Sequence, residues 1–164
     1  MKFTIIFFIL LISFLTTAQE KQIIDAYNLR YIDSSKSLTI QKKIQLETND
    51  KDIKCISNCF LTLTYLRQKK MQFAKEAIEN AKENLTTITN QNTLGYYHYA
   101  LYRYKYFIDE PGFEEDILKS LTYFEKAKNY TFAGLNAINI ANYGELVNKN
   151  FLDKGIKYAA LSED

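Results

Sequence analysis

Ser120–Ala127 reads SLTYFEKA. A small residue (Ser120), an aromatic four positions on (Phe124) and a small residue three beyond that (Ala127) share one face of a helix. Small side chains on such a face let a second helix approach closely. The stripe starts further upstream, at Phe113, Ile117 and Leu121. Glu114, Glu115 and Asp116 fall in the first turn, where the helix dipole favours acids. The same offsets recur, weakened, on both sides, so the chain is expected to be all-α and built from helical hairpins.

Working towards the N-terminus, LGYYHYALYRYKYF lies within Thr93–Ile108. Alternation of Tyr102, Tyr104 and Tyr106 fits a strand, but the length and the helical neighbours favour a helix. On that helix Tyr96, Tyr99, Arg103 and Tyr106 share one side, and Tyr97, Leu101, Tyr104 and Ile108 another. Both sides are aromatic, so this helix is expected to lie between neighbours. Asp109-Glu110-Pro111-Gly112 ends it. Before it, Asp52–Gln68 (Ile53, Ile56, Phe60, Leu63, Leu66) and Met71–Leu85 (Met71, Ala74, Ile78, Ala81, Leu85) are amphipathic. The short turn between them predicts an αα-hairpin. Gln19–Tyr31 and Lys36–Glu47 read as two earlier helices, with N-cap chemistry in Asp33-Ser34-Ser35. Towards the C-terminus, Phe132–Lys149 carries Phe132, Leu135, Ile138 and Ala141 on one stripe, with Thr131 as its expected N-cap. Leu152–Leu161 is the last helix. Five Gly and one Pro in 164 residues leave little turn chemistry for short strands.

Met1-Lys2, the apolar run Phe3–Leu15 and the small exit Thr16-Thr17-Ala18 have the form of a secretory signal peptide. The run is short for a membrane span, which needs about 20 residues. Cleavage is expected after Ala18, leaving residues 19–164 as one secreted or periplasmic domain with no stable membrane span. Near-neutral net charge supplies no basic stripe for nucleic acid. Cys55 and Cys59, four apart on one helix, are expected to be small buried residues; helix geometry aims their Cβ vectors poorly for a disulfide.

Second helices of three hairpins align at AKEAIENAKE (74–83), LKSLTYFEKA (118–127) and LDKGIKYAAL (152–161), with small anchors Ala77, Ser120 and Gly155 followed by Ile78, Leu121 and Ile156. This resembles the tetratricopeptide repeat, whose unit is about 34 residues with A-x₃-F in its second helix. Ser120/Phe124/Ala127 fits that pattern best. Leu61-Thr62-x-x-Tyr65 has the steps of the first-helix signature with Thr in place of Gly. Ala100 is the small candidate of the middle hairpin, and the proline usual at the repeat end is absent. The resemblance implies three to four stacked antiparallel hairpins, an α-solenoid of tetratricopeptide type, over roughly 52–161. It implies a protein- or peptide-binding scaffold whose first helices line a groove. A looser resemblance is to the extracytoplasmic sensor portion of membrane-anchored bacterial transcriptional regulators or kinases, which this chain would represent without its output part.

Chemistry is sparse. His98 is the single histidine, and a catalytic or metal-binding histidine needs partners; packing or a hydrogen bond is expected of it. Glu114-Glu115-Asp116 is read as dipole and solvent chemistry. Phosphate loops, nucleophile elbows and zinc motifs do not occur. No catalytic residue, metal or cofactor is therefore expected, and the chain is read as a non-enzyme. Arg67-Gln68-Lys69-Lys70 is a basic cluster that a helix C-terminus accounts for. Tyrosine offers an apolar face and a polar tip at low entropic cost. The expected groove therefore comprises Tyr65, Tyr97, Tyr104 and Asn139 or Tyr143, with Arg103 for acidic groups.

Overall fold

The computed structural model describes residues 18–142 and 149–162. Residues 1–17, where a signal peptide is expected, and Tyr143 and Val147 lie outside the described residues. What is described is all-α, and no strand occurs among the described residues. Helical residues 18–28 (α1) run into a 3₁₀ turn at Leu29–Tyr31. There follow α2 (Ser34–Glu47), α3 (Lys51–Arg67), α4 (Met71–Glu83), α5 (Gln91–Phe107), α6 (Phe113–Ala127), α7 (Tyr130–Asn142) and α8 (Lys149–Leu161). The hairpins α3–α4, α5–α6 and α7–α8 are antiparallel. The chain divides into two compact units, Met1–Asn84 and Leu85–Asp164.

Capping side chains start the helices. Asp33 accepts from the Lys36 amide, Asp50 from Asp52 and Ile53, and Asn90 from Asn92 and Thr93. Thr131, the expected cap of α7, lies inside the helix; Asn129 Oδ1 accepts from the Phe132 amide instead. An amide side chain reaches back over the first turn more readily than a threonine already committed to helical backbone. Gly112, at φ +84°, supplies the left-handed residue before α6.

In the first unit α3 is the central element. Ile53, Cys55, Ile56, Cys59, Phe60 and Leu66 are buried, and the Phe60 ring meets Tyr27 of α1 at 4.7 Å. A polar seam joins α2 to α3: Gln41 Nε2 donates to Ser37 Oγ and Thr64 Oγ1, and Ser57 Oγ donates to the Gln41 carbonyl. Pairing inside a low-dielectric interior makes these bonds specific. Cys55 and Cys59 are buried free thiols. Burial, then the neighbouring Cys55, pushes the Cys59 thiol well up, so it stays protonated and unreactive.

The second unit shows what the SLTYFEKA stripe does. Phe124 lies so close under Gly95 of α5 that a Cβ there would stand 2.7 Å from its ring. Ser120 Oγ donates to the Gly95 carbonyl (2.8 Å) and accepts from Asn136 Nδ2 of α7 (2.7 Å). The small partner facing the stripe is thus Gly95, beside the expected Ala100, which is also buried. Tyr96, Phe124 and Phe132 pack edge-on and tilted at 4.9–5.2 Å. The expected α7 stripe is rotated: Leu135 and Ile138 are partly exposed, while Ala133, Gly134, Ala137, Ile140 and Ala141 are buried. Close backbone approach decides this. A Cβ on Gly134 would meet Tyr158 Cβ at 3.3 Å, and one on Gly155 would meet Ile138 Cγ1 at 2.7 Å. Ile156, expected to follow its anchor inward, is 62% exposed.

Candidate functional site

An open groove of about 220 Å³ runs over α2, α3 and α4 in the first unit. Its floor is Asn58, Leu61, Tyr65 and Ala77; its rims are Lys42, Gln45 and Leu46 on one side and Phe73, Glu76 and Asn80 on the other. Heptad-like spacing on α3 (58, 61, 65) and α4 (73, 76/77, 80) brings these residues to one surface. Tyr65 stacks on Phe73 with ring centres 5.4 Å apart. Lys42 Nζ lies 5.7 Å over the Tyr65 ring, a cation–π distance. Phe73 keeps 51% of its surface exposed, unusual for a phenylalanine that already has an aromatic neighbour.

Glu76 accepts from Gln72 Nε2 at 3.2 Å, and other polar groups of the groove are less committed. Asn58 Nδ2 donates to the Lys54 carbonyl at 2.9 Å, which leaves its Oδ1 as an acceptor. The side chains of Gln45 and Asn80 and the hydroxyl of Tyr65 have no protein partner among the described residues. Amide side chains offer both a donor and an acceptor, the pattern a peptide backbone requires.

Of the residues expected in a groove, Tyr65 lies in this one. The others belong to the second unit. Tyr97 is buried on α5, its ring edge-on to His98 at 5.3 Å. Arg103 and Tyr104 are half-buried, and the Arg103 guanidinium lies within 6 Å of the Tyr102 and Phe107 rings. Asn139 Nδ2 donates to the Tyr102 hydroxyl at 3.0 Å. Tyr143 lies outside the described residues. Phe73, Asn58 and Lys42 carried no mark in the sequence beyond amphipathic position. Phe73 falls two residues after the expected stripe position Met71, and that displacement is the one legible hint of an aromatic turned outward.

A second cluster joins α5 to α6. Asp116 is buried; its Oδ1 lies 2.9 Å from His98 Nδ1 and its Oδ2 2.7 Å from Lys105 Nζ. The expectation of a solvated first-turn acid therefore holds for Glu115, exposed and paired with Lys119, and fails for Asp116. Burial pushes the Asp116 carboxyl up, but the hydrogen bonds from His98 and Lys105 outweigh it, and its pKa is lowered overall. The His98 ring stacks on Tyr123 at 5.5 Å. With no nucleophile beside it, the trio works as a clamp between two helices.

Among the described residues no group of three or more His, Cys, Asp or Glu side chains is placed to hold a metal ion, and no helix is long and apolar enough to cross a membrane. Comparisons with protein-family models, curated proteins and solved structures return no match.

Proposed function

We propose that this chain is a non-enzymatic, extracytoplasmic helical scaffold of tetratricopeptide type that binds a protein or peptide segment. The observation that carries the reading is the α2–α4 groove, where the exposed Phe73 ring, stacked on the buried Tyr65, adjoins four polar groups with no protein partner among the described residues. Its volume falls below the roughly 300–1,000 Å³ of small-molecule pockets, and its open shape suits one helical or extended segment. Stacking on Tyr65 and Phe73 supplies affinity. Gln45, Asn58 and Asn80 supply hydrogen bonds to the segment's backbone, and Lys42 and Glu76 select its charges. The leader of the first 18 residues supports export.

The test uses the mature chain, residues 19–164. Peptides selected on it from a displayed library are measured by fluorescence anisotropy, against the parent and Phe73→Ala. The half-exposed ring can be removed without emptying the core, and circular dichroism checks that. Binding weakened about tenfold by Phe73→Ala, the size of a modest aromatic hot spot, supports the reading. Equal affinity for both chains, or no selected peptide, rejects it.

A further inference from the structure

Away from the groove lining, the first unit gathers cations that form no ion pair among the described residues. Tyr31, at the end of the 3₁₀ turn, is 63% exposed. The Arg30 guanidinium carbon lies 3.9 Å from its ring centre, and that of Arg67, from the last turn of α3, lies 4.6 Å away. The two guanidiniums are therefore separated by no more than the sum of those distances. Gln68 Nε2 donates to Ser34 Oγ and ties the α3–α4 turn to the start of α2. Segments 29–38 and 66–72 then carry Arg30, Lys36, Arg67, Lys69 and Lys70 against one acid. That acid, Asp33, accepts from the Lys36 amide as the cap of α2.

None of these five cations forms an ion pair among the described residues; the pairs formed there use Lys43, Lys75, His98, Lys105, Lys119 and Lys154. Arg67 stands in the last turn of α3 and Arg30 in the last turn of the 3₁₀ helix, where helix C-termini favour cations; that both converge on one ring is a matter of tertiary placement. Arg30 is held in place by donating to the Tyr27 carbonyl (2.6 Å) and to the Tyr31 hydroxyl, with its plane 3.3 Å from the Tyr27 ring centre. It also donates to Asn28 Oδ1 at 3.5 Å; a guanidinium has five N–H donors, so two remain. Two like charges fixed on one aromatic ring repel each other until an anion joins them.

We infer that Arg30, Tyr31 and Arg67 form a binding site for a phosphoryl dianion, with Lys69 and Lys70 in the same turn adding to the attraction. A carboxylate is satisfied by one bidentate arginine. A phosphoryl group has three terminal oxygens, enough to receive both guanidiniums at charge-assisted distances of about 2.7–2.9 Å. The patch is too small for the stripe of contacts that nucleic acid requires. The group can reach the site on a soluble phosphate or on a lipid headgroup.

Isothermal titration of the mature chain with inorganic phosphate, and with acetate as the carboxylate control, reads the first source. Co-sedimentation with phosphatidylcholine vesicles, with and without phosphatidic acid, reads the second. The expected result is saturable binding to phosphate or to phosphatidic-acid vesicles. It should weaken about tenfold in Arg30→Lys and in Arg67→Gln, the loss of one charge-assisted interaction. Lys154→Gln, which alters a surface pair of the second unit, should leave it unchanged. Arg30→Lys keeps the charge and the aliphatic stem, and circular dichroism confirms its fold. Binding in neither arm, equal affinity for acetate, or binding indifferent to both arginine substitutions overturns the assignment.

Discussion

The two units treat their aromatic residues in opposite ways. In the second unit tyrosine tips are answered from within: Asn129 donates to Tyr96, Asn139 donates to Tyr102, and Tyr158 donates to Glu125. In the first unit Tyr65 and Phe73 stack at the edge of an open groove, and the side chains of Gln45 and Asn80 beside them have no protein partner among the described residues. Density of tyrosine therefore does not predict open hydroxyls. On the tyrosine-rich helix α5, Asn side chains of the following elements meet the hydroxyls of Tyr96 and Tyr102, as buried polar tips require. The groove lies where such partners are missing.

The hardest blow to that contrast is Phe124→Ala. The ring is fully buried between Gly95, Tyr96 and Phe132, and its loss should cost about 3–5 kcal/mol. Chemical denaturation should show the second unit failing. Gly95→Ala attacks the same contact from the other side; forcing the Phe124 ring away should cost about 1–3 kcal/mol.

Asp116→Asn sharpens the contrast through pH. The substitution removes charge-assisted bonds to His98 and Lys105 and should cost about 1.5–3 kcal/mol at neutral pH. The folded-state pKa of Asp116 is lowered, so its unfolded state binds the proton more tightly. Its contribution is therefore complete above the ordinary aspartate range. It fades as pH falls through that range towards the lowered value. The stability gap between the parent and Asp116→Asn, measured by denaturant midpoints at a series of pH values, should close on acidification.

Tyr158→Phe should be milder, about 1 kcal/mol, since it deletes one hydrogen bond at a partly exposed position. Burial, then the Glu125 bond, pushes the Tyr158 hydroxyl up to about 12. Its contribution is thus full below the ordinary tyrosine range and is lost as pH rises from there through about 12. The smallest effect belongs to the groove. Phe73→Ala should shift stability by less than about 1 kcal/mol, because half of that ring is already in water. A larger loss would mean that the first unit uses Phe73 as core, as the second uses Phe124.

Much of the architecture was legible. Helix positions follow from three- and four-residue apolar spacing, and Asp33 capping α2 follows from its chemistry. The close packing of Ser120 and Phe124 against a neighbour follows from the size of Ser120. The rotation of α7 was not legible, because Leu135 and Ile138 look like core until Gly134 and Gly155 are seen to bring two backbones together. The burial of Asp116 was not legible either, since His98 and Lys105 lie 18 and 11 residues away along the chain. Of the residues expected in a groove, Tyr65, placed on a first helix, lines the one described above. Phe73 and Asn58 were not expected there, because an exposed phenylalanine and a buried asparagine both read as ordinary positions on amphipathic helices.

The sequence by itself determined that this chain is helical, where its helices pause and which small residues permit close approach. Those are local matters of side-chain size, spacing and capping, and they act within a few residues. Only the tertiary structure decided which polar tips find partners. A hydroxyl, an amide or a guanidinium is satisfied or left open by groups that arrive from other helices. A tyrosine hydroxyl is answered beside Asn139 and has no protein partner among the described residues beside Phe73.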